Sequence, residues 1–253
     1  MAKSEKTVTA CLVVIGNEIL SGRTQDRNVS FLASRLNEVG VALREVRVIP
    51  DVSETIVQTV NDCRSAFDYV FTTGGIGPTH DDITSDAVAK AFGVKNVLNE
   101  AARRILFDHY GDENINAARM RMAHAPEGAE LIENPISKAP GYQIGNVFVL
   151  AGVPTIMQAM FESLRHRLVG GAPVLSRTIA AGLPEGRIAI GLGELQEAYP
   201  DVEMGSYPYF RSGIASCNLV LRSTDEGRLA KVADELRALV RDAGGNPVDE
   251  VTG

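Results

Sequence analysis

The stretch FTTGGIGPTHDDITSDAVAKAFG (residues 71–93) places Gly74, Gly75, Gly77 and Pro78, then a run of hydroxyl and carboxylate side chains, between an apolar strand and a helical segment. Two familiar phosphate loops are excluded by spacing. No Gly-Lys-Ser/Thr follows the glycines, and in a G-x-G-x-x-G reading Gly75 and Gly77 fit but His80 stands at the third position. A physical reading remains. Gly74 and Gly75 permit a tight path with positive φ and let a ligand approach the backbone closely. Amides freed where a helix begins, at about residues 81–84, attract phosphate or carboxylate. The loop therefore reads as an anion cradle, with Thr72, Thr73, Thr79 and Thr84 adding hydroxyls.

Asp81, Asp82 and Asp86 add negative charge where a phosphate is expected. Carboxylates beside phosphate imply a bridging divalent cation, or a base acting on a hydroxyl or water. The competing reading is that they cap the helix and complement its dipole. We assign Asp86 to the second role and Asp82 to the first.

Working outward, residues 7–16 form a continuous apolar, β-branched run, the pattern of a strand covered on both faces. Residues 28–39 carry apolar side chains at helical spacing, with Asn28 as cap and Gly40 as stop. A strand over 41–50, a helix over 53–65 and a strand over 67–73 follow. This alternation predicts an α/β fold: a mostly parallel sheet with helices on both faces, hence three layers. Ligands of such sheets sit beyond the carboxyl ends of the strands. That rule adds Glu18, Asp26 and Asn28, just past the first strand, to the candidate site. Glu18 reads equally as a solvated loop residue.

Further along, helices are expected over 100–110 and 114–124, strands over 129–134 and 141–152, and a helix from Pro154 to Val169. Lys138, in NPISKAPG (134–141), is either a countercharge for phosphate or an ordinary turn lysine. His109, His124 and His166 fall in expected helices with no partner at ligand spacing, and no Ser/His/Asp triad can be assembled. Gly170 to Pro173 read as a linker between domains 1–170 and 171–253, the latter a small α+β appendage serving oligomerisation or partner contact.

A net charge of −7, and eight Lys/Arg against twelve Asp/Glu from residue 172 onward, disfavour nucleic-acid and anionic-membrane partners. Any anion must be caught locally. The N-terminal apolar run is strand-length and follows Glu5, so it does not read as a signal peptide, and no stretch approaches the ~20 apolar residues of a membrane span. Cys11, Cys63 and Cys217 are scattered, suggesting neither a disulfide framework nor zinc and pointing to a reducing cytoplasm.

TTGGIGPTHDDIT resembles the signature of the MoaB/Mog molybdopterin-binding fold, with Asp82 and Thr84 as its D-x-T. VIGNEILSGRTQDRN, GPTHDDIT, NPISKAPG and LAGVPTIMQAM, in that order over about residues 8–168, are similar more narrowly to the N-terminal domain of the CinA family. The resemblance implies a three-layer α/β domain, often a homo-oligomer, that binds a small-molecule nucleotide or pterin phosphate. Taken with the residue reading above, the candidate ligand residues are Thr73, Gly74, Gly75, Gly77, Pro78, Thr79 and Thr84 at the loop; Glu18, Asp26 and Asn28 after the first strand; and Lys138, Pro140, Gly141 and Gly152 in the later motifs. It implies a divalent-metal-dependent nucleotide pyrophosphatase (Mg or Co; ADP-ribose or FAD as substrates), with Asp82 catalytic and Asp82, Glu18 and Asp81 as metal ligands. The alternative is a protein that binds molybdopterin or a nucleotide without hydrolysing it. Ala151 stands where the family carries Pro, Ile156 where it often carries Glu, and Ser137-Lys138 where Gly-Thr is common. A nicotinamide-nucleotide amidase domain that follows in full-length relatives is expected to be absent.

Overall fold

The computed structural model describes residues 7–211 and 214–250 and divides the chain into two compact units, Met1–Gly171 and Ala172–Gly253. In the first, chain order runs β1 (Val8–Ile15), α1 (Asn17–Leu20), α2 (Asn28–Glu38), β2 (Val41–Ile49), α3 (Ser53–Ala66), β3 (Tyr69–Thr73), α4 (Thr84–Phe92), β4 (Asn96–Leu98), α5 (Glu100–Asn114), α6 (Ala117–Arg121), β5 (His124–Pro126), β6 (Glu130–Ile132), β7 (Gly141–Ile144), β8 (Val147–Leu150) and α7 (Pro154–Leu164). The main sheet has the order β2-β1-β3-β8-β7-β6. β2, β1, β3 and β8 are parallel, and β7 and β6 continue the sheet antiparallel.

Alternation along β1 explains why its sequence is apolar throughout. Cys11, Val13 and Ile15 face a core shared with Ile56, Val60 and Cys63 of α3 and Val88 of α4. Ala10, Leu12 and Val14 face the other core, with Leu32 and Leu36 of α2 and Met157, Met160 and Phe161 of α7. A strand sandwiched between helices has no solvent face to make polar. Phe71 of β3 stacks on Phe148 of β8 at 5.1 Å, joining the centre of the sheet.

Several local expectations are corrected. Asn28 is the first residue of α2 rather than its cap; Asp26 Oδ1 accepts the Val29 N–H at 2.9 Å, while Asn28 turns inward and donates to the Gly152 carbonyl. The second expected helix shortens to α6, capped by Asn116, because residues 124–126 pair with 96–98 as a two-stranded ribbon. His124 is therefore a strand residue. Cys11 and Cys63, far apart in sequence, place their Sγ atoms 3.4 Å apart in the core as a free-thiol pair. Their mutual hydrogen bond pushes the Cys11 thiol up and draws the Cys63 thiol down.

The second unit contains β9 (Leu175–Ala180), α8 (Ala189–Ala198), β10 (Glu203–Arg211), β11 (Ile214–Ser223), α9 (Glu226–Asp242) and β12 (Val248–Glu250). Its antiparallel sheet has the order β10-β11-β9-β12, and Leu229, Val232 and Leu236 of α9 pack on Ile179, Leu219 and Leu221. Among the described residues no helix is long and apolar enough to cross a membrane.

One backbone contact positions everything that follows. Gly74, just past β3, has φ of 104°, and a Cβ there would lie 2.1 Å from the Ile15 carbonyl oxygen. Gly74→Ala is expected to lose at least about 2 kcal/mol, through φ strain and a backbone clash together. Thermal unfolding checks this; an unchanged Tm would show that the strand ends are not held this closely.

Candidate functional site

The loop over residues 74–83 leaves the carboxyl end of β3, between β1 and β8. Its conformation is fixed from α4. The Thr84 hydroxyl donates to the Gly74 carbonyl at 3.0 Å and the Thr84 N–H donates to the Gly75 carbonyl at 3.0 Å, with Thr84 fully buried. A second closure lies nearer the tip. The Thr79 N–H and hydroxyl both donate to Asp82 Oδ2, at 2.7 and 2.6 Å, and Asp82 N–H donates back to the Thr79 carbonyl at 3.3 Å. Among the described residues, Asp82 Oδ1 accepts no hydrogen bond. Ile83, which precedes α4, supplies no side-chain cap; the Thr84 N–H is taken by the Gly75 carbonyl, and the amides of Ser85 and Asp86 that follow have no side-chain cap.

Two cavities adjoin the loop. The larger, of about 250 Å³, is lined by Gly77, Asp82 and Ser85 from the loop and α4, by Asn96, Arg121 and His124 from the ribbon segment, and by Pro140 and Tyr142 from the β7 side. The smaller, of about 50 Å³, is lined by Glu18, Asp26, Asn28, Thr73 and Gly152. Within the smaller one, Asn28 Oδ1 and the Thr73 hydroxyl are buried without a partner. Buried polar atoms are normally satisfied, so this pair marks a place for water or a ligand atom.

The predicted residues thus separate. Asp82, Gly77 and Pro140 meet at the larger cavity; Glu18, Asp26, Asn28, Thr73 and Gly152 meet at the smaller. Gly74, Gly75, Thr79 and Thr84 hold the loop. Gly77 also lets Asp82 approach, since a Cβ there would stand 2.6 Å from Oδ2. Pro78, Asp81, Lys138 and Gly141 line neither cavity. Gly141 has a packing reason to be small, a Cβ there meeting the Val149 carbonyl at 2.3 Å. Lys138 takes φ of 61° in a turn organised by buried Asn134, which accepts from the Ile136 and Ser137 N–H groups. Asp81 is solvent-exposed, and Thr79 with its own backbone N–H holds its carboxyl below the usual range.

Among the described residues no three His, Cys, Asp or Glu side chains group as a metal site. Glu18 and Asp82 belong to different cavities. Magnesium-like ions commonly take one or two carboxylates and complete their shell with substrate phosphates and water, and the unbonded Asp82 Oδ1 suits that role.

Sequence reasoning missed Ser85, Asn96, Arg121, His124 and Tyr142. Arg121 Nη2 lies 3.5 Å from the Asp82 carbonyl, putting a permanent cation at the loop where Lys138 was expected to supply one. His124 Nδ1 lies 3.2 Å from the Met120 carbonyl, to which it donates. Burial raises the Tyr142 phenol well above its ordinary value. The Ser85 hydroxyl beside it lowers the shift somewhat without hydrogen-bond geometry, and the phenolic oxygen has no partner.

The fold and loop define an α/β domain whose loop and cavities lie at the carboxyl ends of a mostly parallel sheet. By comparison with known proteins, the chain belongs to the family described as "Probable molybdopterin binding domain", which matches residues 11–170, and residues 173–248 match "FAD synthase, middle domain". A protein of Pyrobaculum arsenaticum is 35% identical over 257 residues, covering 94% of this chain and 97% of that one. A "Probable FAD synthase" of Caenorhabditis elegans is 30% identical over 261 residues; the match covers 92% of this chain and half of that longer protein. The crystal structure of the protein CinA with unknown function from Thermoplasma acidophilum is 32% identical with a TM-score of 0.60, covering 64% of this chain and 99% of that one.

A raised phenol pKa carries a stability consequence. The unfolded chain loses the Tyr142 proton near pH 10 while the folded chain keeps it, so stability falls as pH rises above about 10. Tyr142→Phe removes that dependence. The variant is expected to unfold less readily than the parent at pH 11, relative to pH 8, in denaturant titrations; identical losses in both proteins would contradict the assignment.

Proposed function

We propose that the first unit binds the pyrophosphate of a nucleotide at the loop over residues 74–84 and hydrolyses it, as a CinA-like nucleotide pyrophosphatase acting on ADP-ribose- or FAD-type substrates. The observation that carries this reading is the coincidence, at one cavity, of the uncapped start of α4, the unbonded Asp82 Oδ1 and Arg121. The match to an FAD synthase domain supports a nucleotide ligand.

Chemically, water adds to one phosphorus, the bridging P–O bond breaks, and two phosphate monoesters leave. First-turn amides of α4 and the Arg121 guanidinium stabilise charge gathering on the phosphoryl oxygens. Asp82, oriented through Oδ2 by Thr79, presents Oδ1 either to the attacking water as base or to the ion that would acidify that water. A divalent ion held by Asp82 and the substrate phosphates would polarise a phosphoryl oxygen and acidify that water. Gly77 leaves the space that the Asp82 carboxylate occupies beside the loop.

A second reading, binding of molybdopterin or a nucleotide without turnover, is favoured by a specific observation. Thr79 already occupies one Asp82 oxygen, and Glu18 opens on the other cavity. We also propose a homo-oligomer, which sedimentation of the purified chain tests.

Asp82→Asn separates the readings. The amide keeps an oxygen for the Thr79 donors but cannot serve as base, so AMP release from ADP-ribose, FAD or NADH with Mg²⁺ or Co²⁺ is expected to fall at least ~100-fold with Tm nearly unchanged. AMP at undiminished rate in the variant would refute the role of Asp82. Saturable binding with no AMP even in the parent would establish the second reading.

A further inference from the structure

Cys11 and Cys63 are nucleophiles that the proposed chemistry leaves unused. Cys11 belongs to the central strand β1 and Cys63 to α3, 52 residues apart in sequence, and their Sγ atoms lie 3.4 Å apart with both side chains fully buried. A cysteine can serve simply as a small apolar core residue, and Cys217, packed in the second unit, reads that way. The pair differs in having a second thiol at contact distance and in what stands beside it.

Arg47 is that neighbour. It lies on β2, the edge strand of the main sheet, which pairs with β1 so that Cys11 stands opposite Glu45. Arg47 Nε donates to Glu45, and Nη1 lies 3.6 Å from Asp62, the residue before Cys63. The Cys11 hydrogen bond draws the Cys63 thiol below its ordinary value, and the Arg47 guanidinium adds to this against the cost of burial. Cys11 is pushed the other way and keeps its proton. The thiolate is the nucleophile of sulfur chemistry, and a neighbouring arginine is one of the settings that favour it. The Arg47 side chain is 33% exposed, so the pair lies one strand and one side chain from water. Local opening of an edge strand admits a water-sized oxidant there. Closing from 3.4 Å to the ~2.05 Å of a disulfide asks the sulfurs to approach by about 1.4 Å, a movement on the scale of a side-chain rotation. A metal ion fits less well, since among the described residues no third His, Cys, Asp or Glu groups with the two thiols.

We propose that Cys11 and Cys63 are a peroxide-sensitive dithiol that closes to an intramolecular disulfide joining β1 to α3, with Cys63 as the attacking thiol and Arg47 as the cation that steadies it. This modification site is independent of the phosphate reading. The Cys63 thiolate attacks one oxygen of hydrogen peroxide and the O–O bond breaks. The departing hydroxide takes up the proton that Cys63 released, leaving water and a sulfenic acid on Cys63. The Cys11 sulfur then attacks the Cys63 sulfur, the S–O bond breaks, and the hydroxyl leaves with the Cys11 proton as a second water. Together the two thiols lose two electrons, and one peroxide is reduced to two waters. The new bond closes the chain between residues 11 and 63 in the unfolded state, which holds the oxidised protein against unfolding.

The test exposes the purified, reduced full chain to hydrogen peroxide, alkylates the remaining thiols in denaturant and maps the peptides by mass spectrometry. The expected product is a Cys11–Cys63 linked peptide pair lighter by two hydrogens, with Cys217 still alkylated. The Tm is expected to rise by about 10 °C, a rise that dithiothreitol removes. Cys11→Ala should stop at a sulfenic acid on Cys63 that dimedone traps; dimedone on Cys11 in Cys63→Ala, with none on Cys63 in Cys11→Ala, overturns the assignment of the attacking thiol. Arg47→Gln is expected to slow closure about tenfold, and an unchanged rate overturns the role given to Arg47. Where a cysteine variant folds poorly, the peptide map of the parent decides the central point without it. Cys11 and Cys63 that both stay alkylatable while methionines oxidise, or a link that forms only in denaturant, overturn the proposal and leave the pair a packing contact.

Discussion

The close passage of the backbone at Gly74 over the end of β1, locked by Thr84, is the constraint on which the rest depends. Gly74 lies against the Ile15 carbonyl with no room for a side chain, and the buried Thr84 hydroxyl bonds the Gly74 carbonyl. These two contacts bring the carboxyl ends of β1 and β3 and the amino end of α4 to one place. Replacing Thr84 by an apolar residue of similar shape would leave a buried carbonyl without that donor. The loop beyond is then short and held at both ends, so that Asp82 is positioned by Thr79 rather than by solvent-exposed chance.

An acidic protein that holds an anionic ligand must do so with local fields. With a net charge of −7 the long-range potential repels phosphate, and salt screens it within about 8 Å at physiological ionic strength. Inside that radius an anion at the loop would meet the start of α4 and one guanidinium directly. Asp82 and Asp86 lie in the same cavity, so an anion there meets both signs of charge.

The fold was legible because its signals are physical and local. A continuous apolar β1 can only be a central strand of a covered sheet, and the helical spacing of α2 and α3 follows from their one-sided burial. The second unit read as a small α+β domain, while its α8 and β12 were not foreseen. The loop site was half legible. Asp82, Thr79 and Thr84 sit in a recognisable run of sequence, whereas Asn96, Arg121, His124 and Tyr142 reach the cavity through a ribbon pairing of residues 96–98 with 124–126 and through β7. No spacing rule links those positions. His124 shows the cost most plainly, since a helical period was extended over a segment that short-range strand pairing takes instead. The expected gathering of Glu18 with Asp82 failed for a related reason: both follow strand ends, but the Gly74 backbone and the loop give each its own cavity.

The central claim is that the start of α4 and the loop before it hold phosphate. Titration of the ¹⁵N-labelled protein with inorganic pyrophosphate, read at each backbone amide, tests it most directly. The account predicts saturable shifts at Gly75, Gly77, Ser85 and Asp86, retained in the Asp82→Asn variant. Shifts confined to surface arginines and lysines elsewhere, or none at all, would contradict it.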